Sequence, residues 1–372
     1  MVFISKIGLA RRTDPVTKIF FLHLGQPKSE FYAKEYKAQY NNLYYDVPPF
    51  AEKLVNNTTR VNDRVRRSLE LYGKKNESLE GTLTNLCQSV QGSVNEVVPE
   101  FGPLQCEPAF LLTDHSLETQ LEALVNSDVK RAVFLPLYPH FHAARAGLLL
   151  KEVSKFLSTR TVAGPKQGQP ASRNLRIVPN NTASFEISAL ARWSDHPFLT
   201  NLWHQKLSSI KDDYDAILFT APNLRQCNSI YYRYAVWATC ERIMAELDFA
   251  VPFDLALYNA WDHVDVWQKD GLATKGAKMV GPIHARQRVA VVPVTAFFPT
   301  FDTMSILPNI TAKIDGLKLV EPPTRPADSK IVVNGLTELI KNHLLGRRHS
   351  ELNLLSPMWK SKDYESVRAL FV

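Results

Sequence analysis

The segment Ala132 to Leu137, AVFLPL, is continuously apolar and runs directly into a loop that carries Tyr138, Pro139, His140, His142 and Arg145. A strand that is apolar on both faces needs cover on both, which a parallel sheet with helices on each side supplies. The loop leaves the C-terminal tip of that strand, where open parallel sheets form their ligand crevices. His140 and His142 stand two apart, so in an extended segment they share a face and could converge on one metal ion, with His23 as a further neighbour. The competing reading is that these imidazoles hydrogen bond to nearby backbone or water.

Similar runs recur along the chain. Lys18 to Leu24 is a strand followed by the turn signal Gly25-Gln26-Pro27. Tyr44 to Asn56 contains a helix start at Asp46 and its two prolines, and Leu79 to Glu96 mixes polar and apolar residues at helical spacing. Phe110 to Thr113 is expected as a second strand, and Ser116 to Val125 as a helix with Leu117, Leu121 and Leu124 on one face. A helix should follow the central strand as far as Phe156. The pattern restarts with strands at Leu175 to Pro179, Ala216 to Thr220, Phe253 to Tyr258, Val289 to Val294 and Leu317 to Val320. Helices are expected from a cap at Ser194-Asp195-His196-Pro197 through Leu207, over Ser229 to Leu247, and over Lys330 to Leu345.

This alternation specifies an α/β chain of two similar Rossmann-like halves, each a parallel sheet flanked by helices. The expected organisation is an extension at 1–17, a first half at 18–158, a glycine- and proline-bearing linker at 159–174, a second half at 175–345 and an irregular tail at 346–372. The tail places Leu354, Leu355, Met358, Trp359 and Phe371 with no obvious core for them, so it is expected to dock on its own body or on a partner.

A net charge of +7 would suit an acidic partner, but the basic residues are scattered in small clusters without the aromatic and glycine texture of an RNA-binding motif. Nucleic acid is therefore not expected as a partner. No run reaches the roughly 18 apolar residues of a membrane span. Cys87, Cys106, Cys227 and Cys240 form no CxxC pair and read as reduced, mostly buried thiols. The first 18 residues hold four basic residues against one acid after a short apolar start, a composition compatible with mitochondrial import. No glycine-rich phosphate loop, HExxH or GxSxG element is present in the sequence.

Taken in order, six segments resemble the ferrochelatases, enzymes that insert ferrous iron into protoporphyrin. FLHLGQPKS resembles the family's opening strand and LGGP-type turn, and DVPPFAEKL its first helix start. FLPLYPHFHAARAG resembles the LPLYPQYS-type strand and loop, and RWSDHPFL the WPTHP-type helix start. ILFTAPNL resembles the LFSAHG-type strand end, and VAVVPVTAFFPTFDT the VVPIAF…DHIET-type strand and loop. The resemblance spans roughly Lys18 to Leu345 and implies a porphyrin cleft between two Rossmann-like halves. It implies a degenerate cleft lined by Tyr138, His140, Arg145, Thr220 and Asn223.

The catalytic positions depart from the family pattern. Metal insertion needs a base to take two pyrrole protons and a ligand to deliver the metal. The family's histidine in LFSAHG falls on Pro222, which can do neither. Where the family has Asp-His followed by Ile-Glu, this chain has Pro299-Thr300-Phe301-Asp302, and only the last carboxylate remains, shortened to Asp302. The acidic positions beyond it are Met304 to Pro308. The segment Trp261 to Trp267 also departs; its Asp262, His263 and Asp265 are a second candidate metal cluster, and Cys227 a candidate haem ligand.

The expectation is a catalytically inactive ferrochelatase homologue with no resident cofactor and no metal. It would be a structural subunit of a large mitochondrial assembly peripheral to the inner membrane, a respiratory complex or ATP synthase. Alternatives are a divergent ferrochelatase using His140, His142 or Asp302, and a module that binds porphyrin or haem without reacting it.

Overall fold

The computed structural model describes residues 17–25, 66–67, 70–71, 78–113, 116–158, 175–177, 185–224, 229–258, 264–267, 288–312 and 315–346. The expected helix start at Tyr44 to Asn56, the linker 159–174 and the tail beyond Gly346 lie outside them.

The first sheet contains β1 (Thr17–His23), β2 (Leu104–Phe110), β3 (Arg131–Pro136), β4 (Leu175–Ile177) and β5 (Phe185–Ala189), in the order β2-β1-β3-β5-β4. Four of these strands are parallel and β4 is an antiparallel edge. The second sheet contains β6 (Ala216–Pro222), β7 (Phe253–Tyr258), β8 (Val264–Trp267), β9 (Val289–Val292) and β10 (Leu317–Leu319), in the order β10-β9-β6-β7-β8. It too is four parallel strands with an antiparallel edge, β8 on β7. Read from each half's second parallel strand, both sheets have the order 2-1-3-4. The two-half α/β architecture expected from the strand pattern is thus present, with one reversed edge strand in each half, but β4 and β5 complete the first sheet, so the first half runs past the expected boundary at 175 as far as Ala189.

The helices are α1 (Leu79–Val97), α2 (Leu117–Val125), α3 (Leu148–Ser158), α4 (Pro197–Ser208), α5 (Ser229–Glu246), α6 (Leu307–Thr311) and α7 (Lys330–Leu344). Serines begin the first two: Ser78 Oγ accepts from the Gly81 N–H at 3.0 Å, and Ser116 Oγ from the Thr119 N–H at 3.1 Å. A π-helical turn precedes α3 at Ala143–Gly147, and another precedes α6 at Asp302–Ile306.

Alternate residues of β1 serve opposite faces of their sheet. Ile19 and Phe21 join one apolar cluster with Leu83, Leu86 and Val90 of α1 and Leu336, Leu339 and Ile340 of α7. Phe20 and Leu22 join the other, with Leu121 of α2 and Val153 of α3. Both clusters draw residues from both halves: the closing helix α7 packs on α1, and Phe219 and Val292 of the second sheet share a cluster with Phe134 of the first.

Three strands differ from the sequence reading, and the short helix α6 was not expected. The second strand is Leu104–Phe110, not Phe110 to Thr113. It is an edge strand, which accommodates Pro108, and Glu107 pairs at 2.9 Å with Lys18 on β1, so no continuous apolar run marks it. β5 was not expected; its Glu186 accepts from Arg131 of β3 at 3.1 Å, and the pair conceals a core strand. Part of the Trp261 to Trp267 segment is the edge strand β8, in which Asp265 pairs with Leu257 of β7.

Candidate functional site

β1 and β3 are neighbours whose chain connections leave in opposite directions, and so are β6 and β9. Each such pair is a topological switch point, where loops diverge and leave a crevice at the strand tips. The first brings His23 to the Tyr138 loop. The second brings Pro222 close to the loop that ends at Asp302.

At the first tip, His23 stacks on Tyr138 with centroids 5.0 Å apart, and Phe298 of the second half meets its edge at 5.7 Å. The Tyr138 hydroxyl accepts from the Leu24 N–H at 3.2 Å. Gly25 turns the chain away with φ +81°, and a Cβ there would lie 2.7 Å from Thr113 Cγ2, so two constraints select glycine. The Trp193 indole N–H holds the carbonyl of Pro136 at 3.1 Å and thereby the end of β3.

The histidines are buried and committed to structure. His23 Nδ1 accepts from the Gly25 N–H at 3.0 Å, and His142 Nδ1 from the Ala144 N–H at 3.1 Å, where it caps the π-helical turn. His196 does the same for α4, accepting from the Phe198 N–H at 3.3 Å; it, rather than Ser194 or Asp195, is that helix's cap. Each imidazole thus serves the backbone N–H two residues onward, as aspartate or asparagine commonly does.

Burial lowers the pKa of His23, His140 and His142 to about 3 each, with Arg145 adding to the effect on His23 and His142, and Arg242 on His140. All three are neutral at physiological pH. A neutral His142 that accepts at Nδ1 carries its proton on Nε2, the nitrogen a metal would need. His140 Nε2 meets Thr239 Oγ1 at 2.9 Å, and that hydroxyl's own hydrogen goes to the carbonyl of Ala235 or Ser194. His140 is therefore the donor, and its buried Nδ1 lone pair has no partner among the described residues.

Instead of converging on an ion, His140 and His142 stand edge-on to one Tyr232 ring, at 6.4 and 5.5 Å. Among the described residues no group of three or more His, Cys, Asp and Glu side chains gathers as a metal site. Cys227, Asp262 and His263 lie outside the described residues, and Asp265 lies on β8.

Charge in the cleft is paired across the halves. Arg145 Nη2 donates to Asp302 Oδ2 at 3.2 Å, and the Tyr258 hydroxyl donates to the same oxygen at 3.0 Å. Arg145 also lies over the Tyr138 ring at 5.4 Å. Its side chain is 15% exposed and that of Asp302 18%, so water screens the pair only partly.

The remaining expected cleft residues are engaged elsewhere. Thr220 donates to the Val292 carbonyl at 3.2 Å, inside the sheet. Asn223 Oδ1 accepts from Arg233 at 2.9 Å. Pro222 is buried at the end of β6 opposite Tyr258, where the strand ladder needs no further N–H from it.

Tyr258, Tyr232, Thr239 and Arg242 were not singled out in the sequence. Arg242 donates to the carbonyls of Ser194 and Asp195 at 3.0 and 3.1 Å and fixes the loop before α4. A signal existed for two of them: Tyr232, Val236 and Thr239 repeat at helical spacing, which places a hydroxyl on the buried face of α5. The three described thiols, Cys87, Cys106 and Cys240, are free and buried, and burial raises the pKa of each, to about 12 for Cys106, which leaves them unreactive as nucleophiles. No described helix is long and apolar enough to cross a membrane.

No known family model matches the chain, and no curated protein matches it.

Proposed function

We propose that this chain is a ferrochelatase-like pseudoenzyme that serves as a structural subunit of a large mitochondrial assembly, peripheral to the inner membrane. The observation that carries the reading is the state of Asp302. It is the one carboxylate left at the positions where the resemblance places the chemistry, and a single oxygen of it takes hydrogen bonds from both Arg145 and Tyr258.

Proton abstraction from a pyrrole needs a lone pair that is accessible and basic near neutral pH. Position 222 is proline, His23, His140 and His142 have pKa values near 3, and two of these three use their unprotonated nitrogen on backbone. A cleft so arranged holds two halves together and, among the described residues, offers a substrate no accessible base. The mitochondrial and assembly parts of the proposal rest on the family resemblance and on the composition of the first 18 residues.

The test is a chelatase assay with ferrous iron and protoporphyrin, run beside native size analysis of the protein from its source. The expected result is no turnover and elution with a large complex. Turnover by a species of about 42.1 kDa would overturn the proposal and establish a divergent enzyme. A Soret shift on titration with micromolar haem would instead establish a haem-binding module.

A further inference from the structure

Five large apolar side chains are markedly exposed among the described residues, and three lie along α5 and the turn that ends it: Ile230 at 52%, Tyr234 at 43% and Phe249 at 56%. The opposite face of α5, with Val236, Cys240 and Ile243, is fully buried. Ile230 and Tyr234 are one turn apart on the outward face, which continues through Glu241 to Ala245. A solvent-facing helix surface ordinarily carries more charge than this.

The C-terminal end of α5 is more unusual still. The Phe249 N–H bonds the Met244 carbonyl at 2.8 Å, and the Asp248 N–H the Ala245 carbonyl at 3.1 Å. This is the helix-ending motif that favours glycine in the left-handed conformation. Here the left-handed residues are Asp248 at φ 53° and then Phe249 at φ 49°. A bulky aromatic residue in that region is rare, and such conformations persist where the surroundings or a function demand them.

The turn holds Phe249 outward with its ring 6.2 Å from Phe253, which in turn lies 5.4 Å from Trp237. Glu246 and Asp248, both exposed, sit at the negative pole of the helix, and the last turn has no basic residue. Backbone strain, an exposed aromatic and acids on the wrong helix end coincide within four residues, and none of them helps the isolated chain to fold.

We infer that this end of α5 is a docking point for another protein, with Phe249 inserting into an apolar pocket rimmed by lysine or arginine. The basic rim would meet Glu246, Asp248 and the last carbonyls of α5, and the outward face through Tyr234 and Ile230 would extend the contact. The same acids would repel an anionic lipid surface, so the ligand is a protein and not a membrane. The inference rests on the assembly reading above and supplies one of its contact surfaces.

The test compares tagged full-length wild type, Phe249→Ser and the charge-reversed Glu246→Lys/Asp248→Lys variant in the source cell, each analysed by native size. A wild-type chain with photoreactive benzoylphenylalanine at position 249 is irradiated in parallel. The expected result is wild type in a large complex and a cross-link from position 249 to one other chain, at a segment containing lysine or arginine. Both variants should lose on the order of tenfold in complex occupancy while melting at or above the wild-type temperature. Wild type running as a single chain would overturn the assembly reading. Wild type in the complex with both variants equally incorporated would overturn the docking point alone. So would a cross-link to lipid, to a second copy of this chain or to residues 347–372.

Discussion

Gly335 lies in the middle of α7, where alanine would ordinarily be the better helix former, yet Gly335→Ala should destabilise the protein. A Cβ at this position would stand 2.5 Å from Phe198 Cδ2, 2.6 Å from Cγ and 2.8 Å from Cβ. Ordinary carbon contacts are about 3.5–4.0 Å, so the ring would have to move by about 1 Å. It has little room. Phe198 stacks on Trp193 at 6.0 Å and meets the face of Phe297 at 5.3 Å, and Trp193 is tied by its indole N–H to the Pro136 carbonyl. Overpacking of this kind costs about 1–3 kcal/mol, against a gain of about 1 kcal/mol in helix propensity. The expected net loss is about 1 kcal/mol, in a range of about 0–2 kcal/mol.

Gly92, exposed in the interior of α1, has nothing within 4 Å of the place a Cβ would occupy, so Gly92→Ala should gain the propensity term of about 1 kcal/mol intact. Urea unfolding of both variants, followed by intrinsic fluorescence and circular dichroism, should move the midpoints in opposite directions with unchanged slopes. A Gly335→Ala variant more stable than wild type would show that α7 and α4 can separate freely and would refute the close-packing argument.

Replacing either partner of the inter-half ion pair, as in Asp302→Leu or Arg145→Met, should cost about 3 kcal/mol by stranding a largely buried charge. The double variant should lose less than the sum, a coupling that a double-mutant unfolding cycle measures directly. Because His23, His140 and His142 have folded pKa values near 3, below the ordinary 6.5, the unfolded chain binds more protons between those values. Their contribution is fully present above about pH 6.5 and is lost as pH falls toward 3, with a slope of up to about 4 kcal/mol per pH unit for three protons. Proton uptake approaching three per chain on unfolding at pH 5 would support this; uptake near zero from these groups would contradict it. Asp248→Gly should raise stability by about 1 kcal/mol, since glycine adopts the left-handed turn without strain, and thermal unfolding of the isolated chain would report it.

Most interior strands were legible because burial on both faces leaves little room for polar residues: β1, β3, β6, β7 and β9 all read as largely apolar runs. Three strands were not. Glu107 and Pro108 in the edge strand β2 and Asp265 in the edge strand β8 are tolerated beside an open side, and Glu186 in the interior strand β5 by its pairing with Arg131; each broke the run that would have marked its strand.

At the site, the sequence brought forward the right loop and offered two roles for its histidines, ligands of one ion or partners of nearby backbone; His142 takes the second. The spacing of His140 and His142 suits a shared ion in an extended segment, but the chain turns into a π-helical cap at His142, and that nitrogen goes to Ala144. Tyr258 and Thr239 escaped notice because each meets its partner across about 44 and 99 residues of chain, and no local pattern encodes such a meeting.

The two matching sheets each have a π-helical turn after their third parallel strand. Arg145 is the third residue of its turn and Asp302 the first of the other, so the bond joins positions that do not correspond. With the halves exchanged, the corresponding pair is Ala143 and Met304, neither of them charged. The bond that closes the cleft is therefore made once, and it marks two similar halves as chemically different.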